Sequence, residues 1–232
     1  MKGKLYAIGV GPGDPELITL KGFRLLKEVD VIVSTRSDQE TESPALSIIR
    51  PLLESPEVRY MEFVFPIKGR CQIFMDLWLQ AAEKMHSLIE EGKEIAFIVS
   101  DDPVVHSIFI YLLDIMEAEY GEIPLEIVPG INSFSAGASF IKIPLVMDNE
   151  NLAVVPPTVT AEELKGILNN FDTVAIINIS SKIQYILSIL REQNLLESTY
   201  FIERCQENNK YNEVDLESLG EDKTADIIIV KT

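Results

Sequence analysis

A loop of three glycines and one aspartate lies close to the start of the chain, directly after a short apolar run. In order these residues are Gly9, Gly11, Gly13 and Asp14, with two prolines among and beside them. Glycine permits positive φ angles and lets another molecule approach the backbone without meeting a Cβ, and proline stiffens the turn. Backbone N–H groups and a carboxylate therefore lie at the carboxyl end of a strand, where open α/β sheets bind ligands.

Two other interpretations of this glycine loop come from the residues alone. A dinucleotide fingerprint would continue into a third glycine that opens a helix, whereas this chain continues into Asp14 and Pro15. An aspartate would also repel a pyrophosphate. The glycines would equally suit a tight strand-to-helix connection that binds nothing. The residues disfavour the first interpretation and leave the second open.

Further loops that follow strands carry polar or small residues. The apolar strand 94–99 ends in Ser100-Asp101-Asp102-Pro103, the second junction with an Asp-Pro pair. The strand 125–128 runs into 129–136, whose small residues would let a ligand lie against the start of a helix. The polar loop from Thr35 to Pro44 is predicted to lie at the same sheet edge as the glycine loop.

Apolar residues recur at strand spacing and at helix spacing in alternating segments, which is typical of α/β folds. The predicted strands are 4–9, 29–34, 58–65, 94–99, 125–128, 152–155, 173–178, 199–203 and 225–230, and the predicted helices are 18–27, 45–53, 71–91, 105–116, 161–169 and 182–193. The alternation restarts after a turn cluster at 117–124. We therefore expect two α/β domains with mixed sheets, 1–118 and 119–232, and a ligand cleft between them. Strand pairing after Thr199 is left open, since hairpins would also suit that segment.

Composition and charge exclude several classes of protein. The 232 residues, 47% apolar and 25% charged, are those of a folded globular protein. No apolar run is long enough to cross a bilayer and the start leads directly into a strand, so we expect no membrane span and a cytoplasmic location. The 20 basic and 37 acidic residues give a net charge of −17, which disfavours nucleic acids and anionic membranes as partners.

Cysteines and histidines are too few and too scattered for a metal site or a disulfide framework. Cys71 and Cys205 belong to no CxxC pair or histidine-containing cluster, so both are expected to be thiols. His86 and His106 have no partners at metal-ligand spacing. The sequence therefore predicts no bound metal.

Two long motifs give the chain a family resemblance. The segments 9–22 and 128–136 together resemble those of the tetrapyrrole methylases, S-adenosylmethionine-dependent enzymes of cobalamin and siroheme synthesis. The segments 42–48, 107–112 and 130–136 are most similar to those of the carbon-20 methyltransferases, which act on precorrin-2 or its cobalt complex. The resemblance implies two α/β domains, a homodimer, and S-adenosyl-L-methionine bound in the interdomain cleft.

The resemblance also implies which residues bind the two ligands. The methyl donor would contact Ser100, Asp101, Val104, Ser107, Ser133, Phe134, Val155, Pro156, Asn178, Ile179, Thr224 and Ala225, largely through backbone groups. The macrocycle would face Pro12, Gly13 and Asp14 and the polar loop from Thr35 to Ser43. A porphyrinoid carries several carboxylates, so Arg36, Lys68 and Arg70 are candidate counter-charges, or else solvated surface residues.

The chain departs from its family's pattern at four places. Asp101 stands where relatives have glycine, His106 where a tyrosine is common, and Asn178 where a lysine is common. The segment 67–70 also differs from the usual Met-Thr-Lys-Asp. The reaction needs an acceptor for one proton, and Asp14, Asp101 and His106 are candidates by position. For His106 we expect packing on its own helix rather than catalysis.

Two rival functions follow from the same residues. Diphthine synthase, which modifies a protein histidine, shares the first motif but gives no reason for the matches at 42–48 and 107–112. A non-catalytic tetrapyrrole-binding or regulatory paralogue would explain Asp101, Asn178 and the changed segment after Pro66. The motifs do not distinguish a metal-free substrate from a cobalt-bound one.

Overall fold

A computed structural model describes residues 2–36, 42–53, 59–65, 71–179, 182–204, 211–214 and 226–232. The chain divides into two compact units, Met1–Asn132 and Ser133–Thr232. Both units combine a central sheet with helices on its two faces, so the predicted α/β class is confirmed. Among the described residues, no helix has both the length and the apolar character needed to cross a bilayer.

The first unit contains a five-stranded sheet that is parallel throughout. Its strands are β1 (Leu5–Gly9), β2 (Val31–Arg36), β3 (Arg59–Val64), β4 (Ile95–Val99) and β5 (Leu125–Val128), in the spatial order β3-β2-β4-β1-β5. Its helices are α1 (Leu20–Glu28), α2 (Pro44–Ile49), α3 (Cys71–Glu90) and α4 (Ile108–Tyr120). β4 is buried along its whole length, as a central parallel strand covered on both faces must be.

The two faces of this sheet have separate apolar cores. Helices α1 and α2 pack on the face that carries Ile8 and Ile98, and α3 and α4 pack on the face that carries Ala7 and Phe97. The chain runs from β1 toward β2 in one direction and from β4 toward β5 in the other. The adjacent strands β1 and β4 therefore form the topological switch point, where loops leave for opposite faces and ligands bind in open α/β sheets.

The second unit contains a mixed sheet. Its strands are β6 (Leu152–Val155), β7 (Thr173–Ile177), β8 (Thr199–Arg204), β9 (Tyr211–Glu213) and β10 (Ile227–Lys231), in the order β6-β7-β10-β8-β9. Only the pair of β6 with β7 is parallel among these strands. Helix α5 (Ser133–Ile141) covers one face, and α6 (Ala161–Asn170) and α7 (Ile183–Glu192) cover the other. The antiparallel pairs of β8 resolve the pairing that the sequence left open.

The division between the units falls later than the sequence predicts. The boundary expected near 117–124 rests on the turn at Gly121, but that glycine, with φ 76°, only ends α4. The chain then returns to the first sheet, where β5 pairs with β1 in the register Leu5 to Leu125. The units consequently divide between Asn132 and Ser133.

Side-chain caps fix where several helices begin. The Thr19 hydroxyl accepts a hydrogen bond from Gly22 N at 3.1 Å and starts α1. The Ser107 hydroxyl accepts one from Phe109 N at 3.2 Å, so α4 starts at Ile108 and not at Val105 as predicted. This later start leaves residues 100–107 as a loop at the switch point.

Candidate functional site

The loops after β1 and β4 are joined by backbone hydrogen bonds at the switch point. Val10 N donates to Val99 O and Asp101 N donates to Gly11 O, each at 2.9 Å. The second bond extends the pairing past the ends of both strands as an isolated bridge between Gly11 and Asp101. The glycine loop and the Ser100–Ser107 loop therefore form one continuous surface at the carboxyl edge of the sheet.

Two glycines at this edge are required by contacts within the protein. A Cβ on Gly9 would lie 2.5 Å from Asp101 O and 2.6 Å from Gly130 N, and a Cβ on Gly130 would lie 2.0 Å from Asp101 O. Because backbone atoms occupy the space of both side chains, the three loops stack as closely as their main chains allow. The sequence predicts that glycine admits another molecule here, whereas at Gly9 and Gly130 it admits neighbouring loops.

Asp102 ties two of these loops together and is a residue that the sequence reasoning missed. Its side chain accepts hydrogen bonds from Val104 N at 2.8 Å and from Gly130 N at 3.0 Å. The residue is only 6% exposed, so both N–H groups would lose their partner if the carboxylate were removed. The Asp-Pro pair at the end of an apolar strand was the available signal, because aspartate in that place closes turns through its side chain.

The three candidate proton acceptors occupy different surroundings. Asp14 caps a short 3-10 turn, its carboxylate accepting from Glu16 N at 2.9 Å. Asp101 is half-buried and has a positive φ of 60°. His106 has a φ of 48° and is exposed in the loop before α4, so the expectation that it packs on its helix is wrong. The reason is the Ser107 cap, which starts the helix after His106.

The predicted donor residues of the first unit do not all offer side chains. Val104 is 55% exposed, and Ser100 is half-buried at the end of β4. The Ser107 hydroxyl is buried and engaged in capping α4. Main-chain groups of this loop, together with an apolar contact from Val104, are thus what the unit can present to a nucleoside or an amino-acid moiety.

The predicted macrocycle residues are only partly described. Pro12 and Gly13 are buried within the glycine loop, where Gly13 has a φ of 147°. Arg36 ends β2 and forms an ion pair with Glu62 on β3, with Nη1 3.9 Å from Oε2. Lys68 and Arg70 lie outside the described residues, as does part of the polar loop, 37–41.

The second unit brings four predicted donor residues to one sheet edge. Because β6 and β7 are parallel, their carboxyl ends coincide, and Val155 pairs with Ile176 in the register. Pro156 continues from β6, while Asn178 follows β7 with a positive φ of 57° and an exposed amide. Ile179 is buried beside it.

The other residues of this unit that are predicted to bind the methyl donor lie on α5 or outside the described residues. Ser133 and Phe134 open α5, and Phe134 packs against the apolar cluster that contains Ile177 and Ile227. Thr224 and Ala225 lie outside the described residues, and so does Cys205. Each unit thus carries its own share of the expected donor site, and the assignment of each residue remains a prediction.

Comparisons with known proteins agree with this architecture. The family model for Tetrapyrrole (Corrin/Porphyrin) Methylases matches residues 4–219. The cobalt-precorrin-2 C(20)-methyltransferase of Salmonella typhimurium is 33% identical over 198 residues, which cover 85% of this chain and 81% of that protein. A probable cobalt-precorrin-2 C(20)-methyltransferase of Methanocaldococcus jannaschii is 30% identical over 216 residues, covering 89% and 90%.

A solved structure shares the fold at lower sequence identity. The uroporphyrin-III C-methyltransferase of Thermus thermophilus, solved in complex with S-adenosylhomocysteine, superposes with a TM-score of 0.63 at 22% identity. The similarity covers 98% of this chain and 97% of that one. The likeness in fold therefore extends over both units.

Proposed function

The chain belongs to the tetrapyrrole (corrin/porphyrin) methylase family, and we propose that it methylates carbon 20 of precorrin-2 or its cobalt complex in cobalamin biosynthesis. The observation that carries this proposal is the match over residues 4–219. It is joined by two relatives of at least 30% identity, both named for carbon-20 methylation of cobalt-precorrin-2. On that ground we expect the cobalt complex to be the preferred substrate.

We propose S-adenosyl-L-methionine as the methyl donor, as membership of the family implies. Main-chain groups of the Ser100–Ser107 loop and the exposed Asn178 amide would hold its polar groups, and Val104 and Phe134 would contact its apolar parts. The bound donor supplies an electrophilic methyl group. Asn178 provides both a donor and an acceptor without a charge, which suits a neutral nucleoside.

The protein mainly has to align the methyl group of the donor with the acceptor carbon of the macrocycle. The stacked loops at Gly9, Asp101 and Gly130 would give the proposed site a close-packed main-chain floor, since no side chain fits at Gly9 or Gly130. Alignment of two reactants can contribute several kcal/mol to lowering a barrier. No residue needs to form a covalent bond to the substrate.

We assign the transfer of the departing proton to His106. Its imidazole is exposed at the loop surface, whereas the Asp14 carboxylate already caps a turn. An imidazole that is not consumed in packing is suited to accept a proton from carbon and release it to solvent. Asp101 remains the alternative acceptor in the same loop.

Methyl transfer with purified protein tests the proposed function. Labelled S-adenosylmethionine is supplied with precorrin-2, its cobalt complex or a diphthamide-precursor protein, and S-adenosylhomocysteine binding is measured by calorimetry in parallel. We expect label in the cobalt complex above all. Label only in the protein substrate would show a diphthine synthase-like enzyme, and no label with no donor binding would show a non-catalytic paralogue.

We further propose a homodimer in the cytoplasm, supported by the family resemblance. Light scattering after size exclusion tests the assembly. A mass near twice the 26.1 kDa of the chain is expected, and a mass near 26 kDa would refute it.

A further inference from the structure

Polar side chains cluster at the carboxyl ends of β2 and β3, in the first unit. Ser34 lies opposite Glu62 in the register of these strands, and Arg36 follows two residues later on the same face. That face is the one covered by α1 and α2, because the preceding residue of the same parity, Ile32, packs in their core. The cluster therefore lies beneath the start of α2.

Glu62 contacts two elements from this position. Its Oε1 accepts a hydrogen bond from Ser43 N at 3.2 Å, and its Oε2 lies 3.9 Å from Arg36 Nη1. Ser43 is fully buried and caps α2, its hydroxyl accepting from Leu46 N at 3.4 Å. A separation of 3.9 Å is that of an ion pair and not of a hydrogen bond, so Glu62 acts on Arg36 through charge.

Packing alone does not explain why the largely buried position of Glu62 carries a carboxylate. The Glu62 and Arg36 side chains are only 23% and 25% exposed, so their pairing is screened less than that of surface ions. The Ser34 hydroxyl beside them is buried and has no hydrogen-bond partner among the described residues. A strand residue that served packing alone would be apolar at this place.

We propose that Glu62 is a positioning residue, which holds the Arg36 guanidinium at the sheet edge to receive a carboxylate of the tetrapyrrole. The inference rests on the proposed function and names the substrate group that the site recognises. Glu62 does not itself contact the substrate. Glu62 also accepts the hydrogen bond from Ser43 N, which ties the Glu42–Ile48 segment to β3. The Arg36 guanidinium and the start of α2 are therefore held at a fixed position relative to each other.

Glu62 has two opposing effects on a bound carboxylate. Its negative charge weakens the attraction that Arg36 exerts, while its contact restricts the rotamers of a long side chain. Ordering such a side chain at a binding site costs conformational entropy, which a contact made before binding reduces. We infer that the restriction prevails, because the main-chain hydrogen bond from Ser43 holds the Glu62 carboxylate in place.

The test compares Glu62→Gln with wild type in steady-state methyl transfer. The amide oxygen of glutamine keeps an acceptor for Ser43 N, while the amide nitrogen replaces the oxygen that faces Arg36 and removes the charge. We expect KM for the tetrapyrrole to rise about five- to tenfold, with kcat and the Kd of S-adenosylhomocysteine unchanged. Glu28→Gln is the matched control, because it removes an exposed Arg–Glu pair on α1, with Arg24 Nη1 3.5 Å from Glu28 Oε2, and should leave KM unchanged.

A double-mutant cycle shows whether Glu62 acts through Arg36. Arg36→Gln should raise KM at least as much, and Glu62→Gln should add nothing in that background. An unchanged or lowered KM in Glu62→Gln, or full additivity in the double variant, would overturn the inference while leaving the function intact. Substrate binding is also followed by the visible absorbance of the macrocycle without donor. A wild-type protein that neither binds nor methylates it would overturn the proposed function and this inference with it.

Discussion

Gly130 is the residue at which the site tolerates a side chain least. A Cβ there would lie 2.0 Å from Asp101 O and 2.9 Å from Gly9 Cα, both of them main-chain atoms that can shift only with their loops. We expect Gly130→Ala to lower the free energy of unfolding by about 3 kcal/mol. Urea denaturation measures this loss, and S-adenosylhomocysteine affinity should fall with it.

Gly166 provides the matched control for that substitution. It lies within α6, and a Cβ built there meets no atom within 4 Å. Since alanine favours a helix over glycine, Gly166→Ala should raise the free energy of unfolding by about 0.5–1 kcal/mol. Equal effects of the two substitutions would contradict the close packing of the three loops.

The assignment of His106 predicts a specific kinetic change. His106→Asn keeps a residue that tolerates the observed φ of 48°, so the backbone should be preserved. We expect kcat to fall about 100-fold, with the KM values and S-adenosylhomocysteine affinity nearly unchanged. Steady-state turnover at saturating concentrations of both substrates measures this change, because a turnover is complete only after the proton has left. An unchanged rate would move the proton to Asp101 or to solvent.

The loops of the candidate site could be predicted from the sequence, because each directly follows an apolar strand segment. The glycine loop and the Ser100–Ser107 loop do meet, through the Gly11 and Asp101 main chains. Asp102 and Glu62 were missed, because their roles depend on partners 28 and 19 residues away in sequence. The error at His106 has a different, local cause, because the Ser107 cap starts α4 later than the apolar spacing predicts.

At the scale of elements, β5 is joined to β1 and α1 by charge as well as by sheet pairing. Glu126 on β5 forms ion pairs with Lys21 on α1 and with Lys4, which precedes β1. The hydrogen bond from Lys21, followed by that from Lys4, lowers the pKa of Glu126 from 4.5 to about 2. These contacts explain part of how the strand after Gly121 returns to the first sheet.

The lowered pKa of Glu126 predicts that the free energy of unfolding decreases in acid. The folded state binds a proton at Glu126 less readily than the unfolded state does. The ion pairs of Glu126 therefore stabilise the fold fully above about pH 5, and this stabilisation is lost as pH falls toward 2. We expect wild type to unfold at a higher temperature than Glu126→Gln near neutral pH, with the difference shrinking steadily below about pH 4.5. Thermal denaturation across that range measures it, and a constant difference would contradict the pairing.

Most elements were predictable because their apolar periodicity is local. All nine predicted strands and six predicted helices recur, most with ends shifted by a few residues, whereas α5 and β9 were not predicted. The sequence did not predict that β5 belongs to the first unit. Its parallel partner lies 120 residues away, and the apolar pattern of the strand itself does not indicate which strand it pairs with. The turn at Gly121 marks the end of a helix and does not by itself mark a domain boundary.

At the scale of the whole molecule, the net charge of −17 opposes the approach of a substrate that carries several carboxylates. Long-range repulsion is screened once the Debye length shrinks to about 10 Å, at about 0.1 M salt. The proposed contact of Arg36 with a substrate carboxylate would be short-ranged, and the Arg36 side chain is only 25% exposed, so salt should weaken it less. We therefore expect kcat/KM for the tetrapyrrole to increase as ionic strength is raised from about 0.01 to about 0.15 M.

The methyl donor supplies the internal comparison for this salt dependence. S-adenosylmethionine carries a sulfonium cation, so the same negative field attracts it, and its kcat/KM should stay constant or decrease over the same range. Initial rates at subsaturating concentrations of each substrate, in NaCl steps at constant pH, measure both. If kcat/KM for the tetrapyrrole decreased with salt, the basic residues near the macrocycle would set the local potential despite the acidic whole. Opposite salt responses of the two substrates would instead show that the charge of the entire chain governs their encounter.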